Sequence, residues 1–303
     1  MTRTRSGIAS AGAAIAAAVT ALLAAGCQDA LDQRLAIVEQ PRVLAITSEP
    51  PEVVPGATAT LTAVLASPTG PLAAVPAWSL CDAPKPPTVD NSVADGCVAD
   101  AVTPLGDAAT ITATIPSDAC RTFGPDVASS GFRPRDPDPT GGYYQPIRAA
   151  VPSLDLAFGF TRITCDLANA PGDVAQQYKT TYVANTNPTL TPLSIDGAAV
   201  VTVGADRDVT LSVGWPAAAV ESYLYYDQTT QTLVTRREAM RVSWFATAGS
   251  LAVDASNVGD TSSATTVSTT WHTPTASGPA YLWLVLRDSR GGLATAAYAV
   301  DVH

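Results

Sequence analysis

The sequence predicts an all-β protein: two tandem antiparallel β-sandwiches with one short helix. Three observations lead there. Apolar and polar residues alternate with period two along several runs, most clearly where Ala59, Leu61, Ala63 and Leu65 oppose Thr58, Thr60 and Thr62. Turn signals rich in Pro and Gly, such as PPEVVPG at 50–56, punctuate the runs. A length of 303 residues, with 47% hydrophobic and 15% charged content, is too apolar for disorder and long enough for two domains.

The elements follow in order. Residues 1–26 carry Arg3 and Arg5, an alanine-rich apolar stretch, and the ending LLAAGC at Cys27, which is the pattern of an export signal. Ala24, Ala25 and Gly26 before Cys27 resemble the bacterial lipobox. That resemblance implies that Cys27 is lipidated as the new N-terminus, and Gln28 after it implies sorting to the outer membrane. At about 0.8 kcal/mol per buried methylene, several acyl chains anchor firmly. Residues 27–40 then read as a tether, and nothing after Cys27 approaches a membrane-spanning length of about 18 apolar residues.

A first domain, 41–186, is expected to hold strands at the alternating run just described, around Val75–Cys81, Ala109–Ile115, Ile147–Val151 and Leu156–Cys165. One helix interrupts them. Asn169 reads as its cap, Pro171 as its first residue, and Val174, Tyr178 and Tyr182 as its apolar stripe. Asn187–Pro188 stops it, which places the domain boundary near residue 187. The second domain, 187–303, repeats the alternation in Val209, Leu211, Val213 and Trp215, and again in Met240, Val242, Trp244 and Ala246. AYLWLVL at 280–286 is apolar on both faces and suits a central strand, DSRGG reads as a turn, and Ala294 to Val302 form a last strand. Trp78, Trp215 and Trp244 are expected in the cores.

ATLTAVL at 59–65 is echoed by VTLSVGW at 209–215, each followed by a tryptophan-bearing strand, so the halves read as two immunoglobulin-like modules with insertions in the first. PRVLAITSEPPEVVPG, CRTFGPD, RPRDPDPTGGYYQP, RITCDLANAPGDVA, VSWFATAGS and LWLVLRDSRGG together resemble a family of uncharacterised secreted lipoproteins from GC-rich Gram-negative bacteria. The second domain is also similar to bacterial Ig-like or PKD-like modules. These resemblances imply location and fold but no mechanism.

Export leaves Cys81, Cys97, Cys120 and Cys165 in an oxidising compartment, and their even number fits two disulfides. Three pairings are open. Local closure favours Cys81 with Cys97, which leaves Cys120 with Cys165. No CxxC pair exists and the only histidines are His272 and His303, so no metal site or other cofactor is expected. Loss of Arg3 and Arg5 leaves 15 basic and 27 acidic residues, net −12, which excludes the usual basic nucleic-acid surface and disfavours anionic lipid headgroups.

No GxSxG, HExxH or phosphate-cradling GxxxxGKS string is present, and the lone interior His272 reads as a surface or packing residue. Asp136 with Asp138, and Asp254 with Asp260, read as turn formers that bond their own backbone. No catalytic residue is expected. The reading is a membrane-anchored, non-catalytic structural or binding module of the cell envelope, its partner an envelope protein or a glycan. A carbohydrate-binding surface module is the alternative. If a recognition surface exists, it is expected in the insertion 131–146, where Arg133, Arg135, Tyr143 and Tyr144 are types enriched at binding hot spots. The competing reading packs the tyrosines on the sheet and pairs the arginines with Asp136 and Asp138.

Overall fold

The structure, a computed structural model, describes residues 36–85, 92–125, 138–199 and 201–303. In the first half the strands are β1 (Arg42–Glu49), β2 (Glu52–Val53), β3 (Thr58–Ser67), β4 (Gly70–Pro71), β5 (Ala77–Cys81), β6 (Val102–Asp107), β7 (Thr110–Thr114), β8 (Gly142–Ala150) and β9 (Ala157–Thr164). Two single-turn helices, α1 (Asp95–Val98) and α2 (Ala119–Thr122), sit between strands, and α3 (Gly172–Thr181) follows them. β3 pairs with β1, β4 and β7, and the facing sheet runs β2-β9-β8-β5-β6.

The second half contains β10 (Ser194–Ile195), β11 (Thr202–Val203), β12 (Asp208–Gly214), β13 (Ser222–Asp227), β14 (Thr232–Arg237), β15 (Met240–Ala246), β16 (Ser250–Leu251), β17 (Ala255–Val258), β18 (Thr266–His272), β19 (Gly278–Asp288) and β20 (Leu293–Val302). Its two sheets run β10-β12-β18-β16 and β11-β20-β19-β15-β17, with β13 and β14 as a separate hairpin. Both halves open the same way. β1 pairs antiparallel with β3 before β2 crosses to pair parallel with β9. β10 pairs antiparallel with β12 before β11 crosses to pair parallel with β20. The echoed runs are β3 and β12, and the strands carrying Trp78 and Trp244 are β5 and β15. The fold is all-β, two immunoglobulin-like sandwiches built on one pairing plan.

Each alternating run buries one face. Leu61, Trp78, Ile115, Ile147 and Ile163 fill the first core, and Leu211, Val242, Trp244, Trp271 and Leu284 fill the second. A fully buried large apolar side chain contributes roughly 1.5–3 kcal/mol, so these rows carry the stability of each sandwich. β19 is apolar on both faces because both are covered. Leu282, Leu284 and Leu286 point into its own core, while Trp283 packs against Val38, Leu44 and Ala66. The sandwiches therefore share a sheet-to-sheet contact.

Three local readings change. The tether ends early: Ala36 lies in the second core, Ile37 bridges Ala246, and the Val38 amide donates to the Ala246 carbonyl at 2.8 Å. Three adjacent apolar side chains there gain more by docking than by solvation. Asn169 is no helix cap. Its φ of 59° places it in a left-handed turn, and α3 starts behind Pro171 with Asp173 in its first turn. β8 begins at Gly142 rather than Ile147, running straight through Pro146. Pairing of β8 with β5 stops at Ile147, and the Gln145 side-chain amide donates to the Cys81 carbonyl at 2.7 Å where a ladder N–H would otherwise be wanted.

Disulfides join Cys81 to Cys97 and Cys120 to Cys165, the first tying β5 to α1 and the second tying α2 to the end of β9. Their sequence separations are 16 and 45, so chain-entropy bookkeeping assigns about 3 and about 4 kcal/mol. Cys120→Ala with Cys165→Ala is accordingly expected to lower the unfolding midpoint in urea further than Cys81→Ala with Cys97→Ala. The reverse order would show that local packing, not loop closure, sets the effect.

Candidate functional site

The site begins with charges placed where a sandwich has no room for them. Arg162 stands in the apolar strand β9 with its side chain 1% exposed, and Glu52 of the neighbouring β2 is fully buried. They form an ion pair at 3.2 Å between Arg162 Nε and Glu52 Oε2. Arg162 Nη2 donates to Thr140 Oγ1 at 2.8 Å, and Nη1 donates to the Tyr144 hydroxyl at 3.3 Å. Glu52 Oε1 accepts from the Tyr182 hydroxyl at 2.6 Å and from Thr164 Oγ1 at 2.9 Å, and Oε2 accepts from the Asn185 amide at 2.8 Å. The planar guanidinium fork reaches all of these partners, which a lysine ammonium would not. Burial opposes its charge, yet Glu52 and the surrounding hydroxyls hold Arg162 above the usual arginine value. The same burial pushes the Tyr182 phenol up to about 12.

Asn185 carries the network into the second sandwich. Its side-chain amide donates to Asp288 at 3.2 Å, and Asp288 Oδ1 accepts from the Arg290 and Gly292 amides, each at 2.8 Å. Arg290 in turn donates from Nε to Glu238 Oε1 at 2.8 Å, from Nη2 to Glu221 Oε2 at 2.7 Å and from Nη1 to the Val183 carbonyl at 3.1 Å. Two carboxylates thus clamp one guanidinium, and Asp288 holds the backbone amide of the same residue. Burial, then the neighbouring Asp288 charge, push Glu238 up to about 7. Burial raises Asp288 as well. A second contact reinforces the join: Tyr178 of α3 and Leu167 ahead of it cluster with Tyr226 of the β13–β14 hairpin.

Beside this junction lies a groove of about 1150 Å³, walled by Val43–Ile46 of β1, Ala157–Phe160 of β9, Tyr144, and Arg287 to Leu293 of the second sandwich. Two strand edges face it. Among the described residues β1 pairs with β3 alone, and β2 covers β9 only at Arg162 and Ile163, so the first part of β9 has β8 on one side and, on the other, the side chains of β1 and the groove, with Ser48 Oγ meeting Thr161 Oγ1 at 2.9 Å. A register shift between Val43 and Ala45 lets Leu44 pack on Trp283 while Ile46 enters the first core. Gly159 makes the floor tight, since a Cβ there would stand 2.6 Å from that of Ile46. Phe160 is 36% exposed and meets Tyr144 edge-on at 6.3 Å.

The groove's charges are uneven. Asp138 Oδ1 accepts from the Thr140 amide at 2.8 Å and the Thr140 hydroxyl at 2.6 Å, the turn-forming role expected of it. Arg287 sits at the rim directly across from Arg241 of β15. Among the described residues, Arg287, Arg241 and the groove residue Lys85 have no carboxylate partner. Partial burial and the Arg241 charge, in that order, push Arg287 below the usual arginine value.

The residues singled out from sequence are distributed unevenly. Tyr143 and Tyr144 belong to strand β8 rather than to a loop. Tyr143 is buried in the first core, while Tyr144 lines the groove, lies 5.8 Å beneath the Arg162 guanidinium and donates to the Arg290 carbonyl at 3.2 Å. Cys27, Arg133 and Arg135 lie outside the described residues. His272 is exposed between Asp206 at 3.4 Å and Asp208 at 2.8 Å, and the Asp208 hydrogen bond holds its pKa up. Trp78, Trp215 and Trp244 are all buried. Among the described residues no group of three His, Cys, Asp or Glu side chains is placed to hold a metal ion, and no helix is long and apolar enough to cross a membrane. Sequence reasoning missed Glu52, Arg162, Asn185, Glu238, Asp288 and Arg290. Their signal was a single charge inside an apolar strand, as in FGFTRITC, and two charges directly after the doubly apolar strand 280–286.

No family model matches the sequence, and no curated protein matches it. Solved structures resemble the chain at low identity. The fibronectin(III)-like modules of Clostridium thermocellum CbhA share 11% identity over 85% of this chain and 92% of theirs, with a TM-score of 0.22. The Yersinia pseudotuberculosis adhesin InvE shares 10% over 86% of this chain, which spans 58% of the adhesin's length, with a TM-score of 0.22. Murine CEACAM1b shares 13% over 86% of this chain and 100% of its own, with a TM-score of 0.19. The immunoglobulin-like assignment rests on the strand pairing described above.

Proposed function

We propose that the mature chain is a lipid-anchored, non-catalytic module of the bacterial cell envelope that binds a partner in the groove between its sandwiches. The observation that carries this reading is the groove itself. Its walls carry apolar side chains and aromatic rings, among them Tyr144, Phe158 and Phe160, and the buried carboxylates behind it are engaged by fixed donors, so it offers shape and apolar surface. The two disulfides support residence in an oxidising compartment. The LLAAGC ending at Cys27 supports the anchor and outer-membrane sorting.

Two measurements on intact cells test it. Mass spectrometry of the membrane-extracted protein is expected to show an acylated peptide starting at Cys27, and a mature pool retaining Met1 contradicts the anchor. A photocrosslinking amino acid at Phe160 is expected to trap a discrete envelope protein that the same group at exposed Val75, which does not line the groove, does not trap. Equal trapping at both positions contradicts the groove as the binding site, and enrichment of a glycan instead of a protein favours the carbohydrate-binding reading.

A further inference from the structure

We infer that Arg241 and Arg287 form an oxyanion site on the second sandwich, which takes the phosphomonoester of a neutral carrier such as a phosphorylated polyol or sugar. Arg241 lies outside the groove lining, so the site stands whether or not the groove holds a partner.

Placement comes first. Arg241 of β15 and Arg287 of β19 are direct cross-strand partners, and Asn257 of β17 stands opposite Arg241 on its other side. The three side chains therefore share one face of the sheet, in a row with Cβ atoms about 5 Å apart. Trp283 and Val285 precede Arg287 on that face, both buried, and Trp283 packs on Val38, Leu44 and Ala66 of the first half. Arg287 is the next side chain on that face and the first to emerge from the cover, and Arg241 and Asn257 beside it are exposed too. The row thus sits at the corner where the two sandwiches part, shielded on one side, where a charge contact is stronger than in open water.

The want of a partner singles the pair out. Ten arginines fall among the described residues, and eight of them are engaged. Arg121, Arg162, Arg207 and Arg290 hold carboxylates, Arg148 and Arg237 hold backbone carbonyls, and Arg42 and Arg236 lie over the rings of Phe245 and Tyr225. The two that remain stand opposite each other, although the chain has 27 acidic residues against 17 basic ones. Like charges so placed destabilise a sheet. The nearby carboxylates are engaged elsewhere: alternation puts Asp288 on the other face, where it holds the Arg290 and Gly292 amides, and Asp138 closes its own turn. Two guanidinium forks then select the ligand. One fork saturates both oxygens of a carboxylate, whereas a phosphomonoester brings three oxygens and close to two charges, enough for both. A carrier of few charges fits, because the net charge of −10 repels a surface dense in anions, while a single phosphate within a Debye length of about 8 Å answers to the pair.

The test is equilibrium dialysis of detergent-solubilised full-length mature protein against glycerol phosphate at low salt. Saturable binding is expected, at least about tenfold tighter than glycerate, whose carboxylate occupies one fork, with glycerol itself not bound. Inorganic phosphate should compete. Arg241→Gln with Arg287→Gln should weaken binding at least about tenfold, and Arg121→Gln with Arg207→Gln, which removes two exposed arginines that already hold carboxylates, should change nothing. Either single substitution in the pair should leave the melting temperature level or raise it, because a repulsion is removed; a fall would make the pair structural and overturn the inference. Glycerate binding as tightly as the phosphate, or an unchanged affinity in the double variant, would overturn it too. So would phosphate binding that appears only with Asp126→Asn and Asp136→Asn, which would make the chain's own acids the partner, or binding to phosphatidic acid vesicles alone, which would make the partner a membrane surface.

Discussion

Glu52→Ala is expected to lower stability by about 3–5 kcal/mol, the cost of leaving a buried guanidinium without its counter-charge. The size follows from what the carboxylate holds. Its two oxygens bind the Tyr182 and Thr164 hydroxyls and the Asn185 amide in addition to Arg162. Removal therefore orphans donors on β9, at the end of α3 and in the segment leading to the second sandwich. Glu52→Gln keeps the shape and part of the hydrogen bonding, and should lose less. Gly142→Ala should produce a related defect by another route, because a Cβ at Gly142 would overlap the Arg162 guanidinium. Urea denaturation of the three variants checks this. A loss below about 1 kcal/mol for Glu52→Ala would mean that water replaces the carboxylate and that the pair is not a structural keystone.

Stability is also expected to fall as pH rises from about 5 to 8, opposite to the usual behaviour of salt-bridged carboxylates. Glu238 moves from 4.5 in the unfolded chain to about 7 in the fold. The folded state therefore binds its proton more tightly than the unfolded state does. The stabilisation is complete below pH 4.5 and is lost as pH climbs through 7, by about 3 kcal/mol in all. The raised Asp288 acts in the same direction. Glu238→Gln should flatten the melting temperature between pH 5 and 8, because the titrating group is gone while one acceptor for Arg290 remains. Arg290→Ala should instead destabilise at every pH in that range and steepen the decline, since Glu221, Glu238 and Asp288 then lack their shared cation. An identical pH slope in wild type and Glu238→Gln would assign the dependence to another group.

The strands were legible because burial on one face of a sheet writes itself as period two. β3, β12 and β15 were read directly, and the echo between β3 and β12 marks a shared pairing plan. Pro146 hid the first half of β8, since its compensating partner is the side chain of Gln145, which no local rule supplies. The tether's docked end was obscured for a related reason: Ala36, Ile37 and Val38 match no repeating pattern, and their partners lie in β15 and β19. The junction was the least legible part. Glu52 and Asn185 meet across 133 positions, and Asn185 and Asp288 across 103. A charge such as Arg162 reads as a solvent-facing strand residue until the register between sheets is known. The groove is legible only through the same contacts, because its walls come from both sandwiches.

Calorimetric unfolding of the mature chain tests most directly whether the two sandwiches form one body around a shared buried junction, on which the groove's shape depends. A single transition is expected, with the van't Hoff enthalpy equal to the calorimetric enthalpy, and Glu52→Ala should lower or divide it. Two independent transitions in the wild-type protein, the first unmoved by Glu52→Ala, would contradict the account.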